Sequence, residues 1–267
     1  MKQFFSRAIF SAAVFGASAL AALSSINATA STFTDMWWNA NESGWGMNIV
    51  QQDETAIITL YTYDANRNPV WYFASTAPVT AYTASGLPIF AAELYRTRGP
   101  WEGGTFDPSQ VAPVRVGVLS LEPRDKDRLR LSYSVDGLVV NKEITRMSFR
   151  QHKASGIYRG AFNLRQILPD RGPYGTAETN ADIDLTIEAG QAHMNTLVNG
   201  VSCDFRGPYS QSGKLGSFSG NFTCGGGRNG TFTVTEMEIG AHGVTGMMTT
   251  STPQLQERGR FAAVLRY

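Results

Sequence analysis

The sequence predicts an all-β protein: a signal peptide followed by two consecutive antiparallel meander domains of the up-and-down barrel type. Three observations carry this reading. Apolar and polar residues alternate strictly along many short segments, as in Leu129, Leu131, Tyr133 and Val135 set between Arg128, Arg130, Ser132 and Ser134. Ile183, Leu185 and Ile187 alternate in the same way with Asp182, Asp184, Thr186 and Glu188. Side chains on a strand alternate faces, so each segment has one apolar and one polar face. The 27 glycines fall mostly between such runs, at turn positions. No stretch outside the N-terminal leader shows a sustained helical period.

The leader comes first. Lys2 and Arg7 precede an apolar, Ala-rich run from Ala8 to Leu23, and Ala28-Thr29-Ala30 forms a small-residue cleavage signal. Residues 1–30 are therefore expected to be removed before Ser31. The alternative is an uncleaved membrane anchor, which the short run and its small-residue end disfavour. Removing 30 of 267 residues leaves 237, enough for two domains of about 120 residues. The full chain carries a formal +1, of which Lys2 and Arg7 supply +2, so the mature chain is near −1. A near-neutral chain has no electrostatic footprint for nucleic acid.

The second domain, 153–267, divides most cleanly. Strands are expected near 156–164, 182–189, 191–198, 201–209, 215–224, 230–238, 243–250 and 258–267. Turns at Ala189-Gly190, Asn199-Gly200, Ser212-Gly213, Gly225-Gly226-Gly227, Asn229-Gly230 and Ala241-His242-Gly243 separate them. Eight short strands in a meander imply a closed or nearly closed barrel. Cys203 shares a strand face with Val201 and Phe205, and Cys224 with Phe218 and Phe222. Two cysteines in an exported chain, aimed into one apolar layer from neighbouring strands, predict a Cys203–Cys224 disulfide.

The first domain, 31–152, reads similarly. Strands are expected near 45–52, 55–63, 70–77, 88–96, 114–121, 128–135 and 138–149, with Trp37-Trp38 opening an eighth. The polar stretch from Arg150 to Gly156 marks the boundary.

Residues Trp38 to Phe149 carry a specific pattern: Glu42-Ser43-Gly44-Trp45-Gly46 with Asn48, Tyr63-Asp64, Pro69 and Trp71-Tyr72. It continues through Tyr95-Arg96-Thr97-Arg98-Gly99-Pro100, Val116-Gly117 and Tyr133-Ser134-Val135-Asp136-Gly137, and ends with Lys142, Ile144, Arg146 and Phe149. It resembles a widespread group of exported proteobacterial proteins to which no activity is assigned. The resemblance implies a β-rich fold and a periplasmic or secreted address, and it transfers no catalytic residue. That group commonly has Gly where this chain has Arg67. Because an L-residue in the left-handed region costs about 1 kcal/mol, a longer or rearranged hairpin is expected there.

No motif announces catalysis. Gly216-Ser217-Phe218-Ser219-Gly220 has Phe218 where a nucleophile would stand. His152, His193 and His242 have no sequence partner, and two Cys with three scattered His give no metal-ligand spacing. No cofactor and no metal are expected. Asp182 with Asp184, and Glu236 with Glu238, are carboxylate pairs of the kind glycoside hydrolysis uses, or simply outward polar faces. The aromatic cluster is the strongest signal: Trp37, Trp38, Trp45, Tyr61, Tyr63, Trp71, Tyr72 and Phe73. Such rings either fill a small barrel or grip a ligand at its mouth. Arg146 is expected to stack on Trp37 or Trp38 and seal a barrel end. The candidate ligand site comprises Trp45, Tyr61, Tyr63, Trp71 and Tyr72 with Glu42 and Asn48, and the expected ligand is a small apolar molecule or a glycan. The leading reading is a non-catalytic binding module. The alternatives are a structural or protein-interaction module contacting an envelope protein, an outer-membrane barrel suggested by the closing run Phe261 to Tyr267, and a hydrolase.

Overall fold

A computed structural model describes residues 32–266, so the expected signal peptide lies outside the described residues. The chain forms two closed eight-stranded antiparallel barrels in tandem. The first contains β1 (Asp35–Trp38), β2 (Gly46–Gln52), β3 (Thr55–Tyr63), β4 (Pro69–Tyr82), β5 (Pro88–Arg98), β6 (Ala112–Pro123), β7 (Arg128–Val135) and β8 (Leu138–Arg146). It closes where β1 pairs with β8, Trp37 opposite Arg146. The second contains β9 (Ala154–Leu168), β10 (Gly172–Glu188), β11 (Gln191–Val198), β12 (Val201–Ser212), β13 (Leu215–Cys224), β14 (Asn229–Ile239), β15 (Gly243–Ser251) and β16 (Gln256–Leu265). It closes along β16 and β9, Phe261 opposite Phe162.

Alternation decides what fills each barrel. On β3, Ala56, Ile58 and Leu60 point inward and are fully buried, while Ile57 and Tyr61 point out. The first core adds Phe33, Trp37, Met47, Ile49, Phe90, Leu119, Leu121 and Leu131. The second is built on Phe162, Phe205, Phe218, Phe222, Phe232 and Phe261 with aliphatic neighbours. Cys203 and Cys224 stand directly opposite each other on β12 and β13 and form the disulfide. With a sequence separation of 21, this crosslink stabilises the fold by about 3 kcal/mol through the unfolded chain. The outward faces of β9, β10 and β16 carry Arg159, Asn163, Glu178, Asp184, Arg258 and Arg260. On these strands an apolar interior lies inside a charged wall, the reverse of the lipid-facing pattern.

Two turn expectations are corrected. Asn229-Gly230 is not a turn but the start of β14; Gly226 and Gly227, both at positive φ, carry the reversal. Gly230 is needed for a close approach instead, since a Cβ there would lie 2.0 Å from the Ser251 carbonyl oxygen. The β3–β4 hairpin is not rearranged: Arg67 takes the left-handed conformation itself, at φ 66°. The Asp64 carboxylate accepts the N–H groups of Asn66 and Asn68 at 2.9 Å, and this local bonding holds the turn against the strain.

The barrels are fastened around one buried charge. Arg146 points into the end of the first barrel, with its guanidinium 4.6 Å from the Trp37 ring centre, the sealing role expected of it. Its Nη1 donates to Asp35 Oδ2 at 3.1 Å, Nη2 to the Thr32 carbonyl at 2.9 Å, and Nε to the Lys126 carbonyl at 3.0 Å. Asp35 Oδ2 also accepts the Lys214 N–H at 3.1 Å, from the β12–β13 hairpin of the second barrel. The linker adds to this clamp. Gly213 N–H donates to Ser148 Oγ, and Gln211 Nε2 donates to the Arg150 carbonyl, both at 2.7 Å. His152 Nδ1 lies 2.6 Å from the Tyr209 hydroxyl. Burial, with Arg150 as the second cause, holds His152 below its ordinary pKa, and burial pushes Tyr209 up to about 12. The Tyr209 hydroxyl therefore keeps its proton, and the pair is joined by a hydrogen bond whose direction follows the imidazole tautomer.

Three outcomes are expected. Arg67→Gly relieves the turn and raises unfolding free energy in urea by about 0.5 to 1 kcal/mol, after the entropic cost of glycine in the unfolded chain. Asp35→Asn removes the nearer of the two carboxylates on a buried guanidinium, leaving Asp127 Oδ1 at 3.4 Å, and lowers stability by about 3 kcal/mol in the same assay. For His152 the unfolded chain binds the proton more readily, so its contribution is present above roughly pH 6.5 and is lost as pH falls toward the depressed folded value. Wild-type Tm should accordingly fall more than that of His152→Gln between roughly pH 7.5 and 5.

Candidate functional site

The candidate residues separate into two places, because neighbouring positions on a strand face opposite sides of the barrel wall. Glu42, Trp45 and Tyr72 belong to one end of the first barrel. Tyr72 is only 6% exposed and points inward, so it does not join the exposed rings. Trp45 packs on the core and donates its indole N–H to Glu42 Oε2 at 3.1 Å. Lys142 Nζ donates to Glu42 Oε1 at 2.9 Å. The Lys142 hydrogen bond comes first among the causes that hold the Glu42 carboxyl below its ordinary range. Burial raises the pKa of both Tyr72 and the inward Tyr133. Glu42, Trp45 and Lys142 are thus one hydrogen-bonded set at the barrel end, which is a structural role.

Tyr61, Tyr63 and Trp71 lie on the outer wall, 47%, 56% and 46% exposed. Tyr61 stands directly opposite Trp71, and Tyr63 opposite Pro69. Gly46 is the partner of Tyr61 on β2, and a Cβ on Gly46 would lie 4.0 Å from the Trp38 Cβ and 3.2 Å from the Trp37 carbonyl oxygen. One row therefore crosses four strands: Trp38, Gly46, Tyr61, Trp71. At about 4.8 Å per strand it extends roughly 14 Å. The glycine leaves a low place between Trp38 and Tyr61. Gly44 does the same beside Tyr63, whose ring lies 3.9 Å from where a Gly44 Cβ would stand.

The next row holds Asn48, Thr59, Phe73 and Tyr95 in register. Phe73 links the rows, with its ring centre 5.8 Å from Trp71 and 6.0 Å from Tyr95. Beyond it, Glu93 accepts the Tyr95 hydroxyl proton and pairs with Arg115 at 2.7 Å. The Tyr95 hydrogen bond leads the causes that hold Glu93 below its usual range. The wall thus carries Trp71, Phe73 and Tyr95 in ring contact, with Tyr61 opposite Trp71, bordered by an amide, a carboxylate and a guanidinium. Trp38, Phe73, Tyr95, Glu93 and Arg115 were missing from the sequence-derived site. Alternation along β4 already put Phe73 on the face of Trp71; strand register was the signal that could have joined Trp38, Tyr95, Glu93 and Arg115 to them, since these are far from Trp71 in the chain and near it across the sheet.

The other candidate chemistries take structural partners. Asp182 lies on the outer wall near Arg159 and Arg266. Glu236 sits in a β-bulge at φ 52°, buried between Lys126 of the first barrel and Arg260, while Glu238 pairs with Lys214. His193 is hydrogen-bonded to Asp204, which Arg206 also holds. Among the described residues no group of three or more His, Cys, Asp or Glu is placed to hold a metal ion.

No protein-family model and no curated protein matches this sequence. Among solved structures, the isotype 1 transferrin binding protein B from serogroup B Neisseria meningitidis is similar over 84% of this chain and 66% of that one. The identity is 9% and the TM-score 0.31. This chain therefore spans just under two thirds of that neighbour, and a likeness of this degree leaves the functional reading to the geometry of the chain itself.

Proposed function

We propose that this protein is an exported binding module that holds a glycan on the outer wall of its first barrel. The observation that carries the reading is the row Trp38, Gly46, Tyr61, Trp71. Small apolar ligands are usually held by burying most of their surface in a cleft. A shallow exposed strip cannot provide that enclosure. A sugar ring needs less: one apolar face to lie on an aromatic ring and polar groups at its edge for the hydroxyls. Tyr61, Trp71 and Phe73 offer the rings, and Asn48, Glu93, Arg115 and the tyrosine hydroxyls offer the edge. The strip is longer than one ring, which favours an oligosaccharide. The disulfide suits an oxidising compartment, in keeping with a periplasmic or secreted address. An envelope protein laid across the same strip is the competing reading.

Affinity electrophoresis against laminarin, xylan, chitin oligosaccharides and soluble peptidoglycan fragments tests the proposal, with tryptophan fluorescence as a second readout. At least one polysaccharide should retard the wild type. Tyr61→Ala and Trp71→Ala should each weaken that binding about tenfold, with the thermal transition preserved. Wild-type migration indifferent to every polysaccharide, or a Tyr61→Ala/Trp71→Ala double variant that binds as the wild type does, would refute it.

A further inference from the structure

The interior of the second barrel is not filled to the end. Beside the disulfide, a cavity of about 330 Å³ opens between the inward faces of its strands. Pockets for small ligands start at about this size. Phe162, Phe205 and Phe222 line it with Met248, and Cys203 and Cys224 form part of its edge. An apolar slot of this kind is ordinary in an eight-stranded barrel that carries a small ligand.

Its polar lining is not ordinary. Glu257 points into the barrel and is 6% exposed. Its Oε1 accepts from Gln166 Nε2 at 3.0 Å, and its Oε2 accepts from Thr250 Oγ1 at 3.1 Å and from Arg228 Nη2. Burial pushes this carboxyl up, but the hydrogen bonds from Gln166 and Arg228 outweigh it and hold the group below its usual range. Glu257 is thus a satisfied anion that fixes the Arg228 guanidinium over the Phe222 ring, 5.7 Å from its centre. Arg228 spends only Nη2 on Glu257 and Thr250. Its Nε and Nη1 donors have no partner among the described residues, and the side chain is 42% exposed at the mouth. Thr196, 3% exposed, also lines the cavity.

We propose that this mouth binds a medium-chain fatty acid. The acyl chain lies on the phenylalanines, and the carboxylate takes the spare donors of Arg228 with the Thr196 hydroxyl. A guanidinium fork matches a carboxylate. The apolar walls suit an acyl chain, and the donors that Arg228 leaves free at the mouth suit an acidic head group. This site is independent of the outer strip on the first barrel. All five tryptophans, Trp37, Trp38, Trp45, Trp71 and Trp101, precede the second barrel, so their fluorescence reports the strip and not this mouth.

Isothermal titration of the purified chain with laurate below its micelle concentration, beside methyl laurate, tests the proposal. Laurate should bind at one molecule per chain, and methyl laurate about tenfold more weakly. Ala177 lines the empty space, so Ala177→Phe should fill it and abolish binding with circular dichroism and Tm unchanged. Thr196→Val, nearly isosteric, should weaken binding about threefold to tenfold. The proposal is overturned if laurate gives no saturable binding, if Ala177→Phe binds it as well as the wild type, or if the ester binds as tightly as the acid.

Discussion

The buried guanidinium of Arg146 is the constraint on which the arrangement of this molecule rests. A charge taken out of water must be met by acceptors in fixed positions, or it costs more than the surrounding packing returns. Here those acceptors are two carbonyls, of Thr32 and Lys126, and the Asp35 carboxylate, with Asp127 Oδ1 3.4 Å from Nε. They come from the segment before β1, from the β6–β7 turn and from β1 itself. Satisfying one side chain therefore fixes three parts of the first barrel together. The Trp37 ring beneath the guanidinium completes the seal. Asp35 then does a second thing, because the oxygen that meets Arg146 also accepts a backbone N–H from the second barrel. The end seal of one barrel and the attachment of the next are the same hydrogen-bonded cluster.

The linker extends that logic. Residues 147–153 form no strand, so their backbone groups must find partners elsewhere. Gln211 and Gly213 of the β12–β13 hairpin bond to the backbone of Arg150 and His152 and to the Ser148 side chain. Lys126 of the first barrel meets Glu236 of the second, at a bulge that turns the glutamate out of the strand's alternation. Each contact is polar, and each uses a group that regular strand pairing leaves free.

Much of this fold was legible in the sequence, for a local reason. Where one strand face is buried and the other wet, alternation and turn residues mark the strand, and the segments 55–63, 128–135, 191–198 and 215–224 coincide with β3, β7, β11 and β13. The signal fades where both faces are exposed. The first half of β10, from Gly172 to Thr179, lies largely in solvent on both sides and carries no alternation to read. Arg67 was misread because a propensity argument gives a cost, not a veto, and the Asp64 hydrogen bonds meet that cost. The candidate site was legible by residue type and by parity: Trp71 and Tyr72 had to face opposite ways. Which of them faced water depended on barrel closure, which is non-local. The row from Trp38 to Trp71 exists only across the sheet, and no window of sequence contains it.

The two barrels share a strand count and a closure, yet they distribute large side chains differently, and this decides where each can bind. The first is plugged at both ends, by Arg146 with Trp37 at one and by Glu42, Lys142, Trp45 and Tyr72 at the other. With its interior occupied, its remaining aromatic surface can only be on the wall, where contact is shallow and a ligand keeps most of its own water. The second leaves its mouth open beside the disulfide and lines it with phenylalanine and a half-buried ion pair. A ligand there must give up its water and therefore must be largely apolar. The disulfide ties β12 to β13 at that edge, so the rim of the mouth is held by a covalent bond as well as by strand pairing.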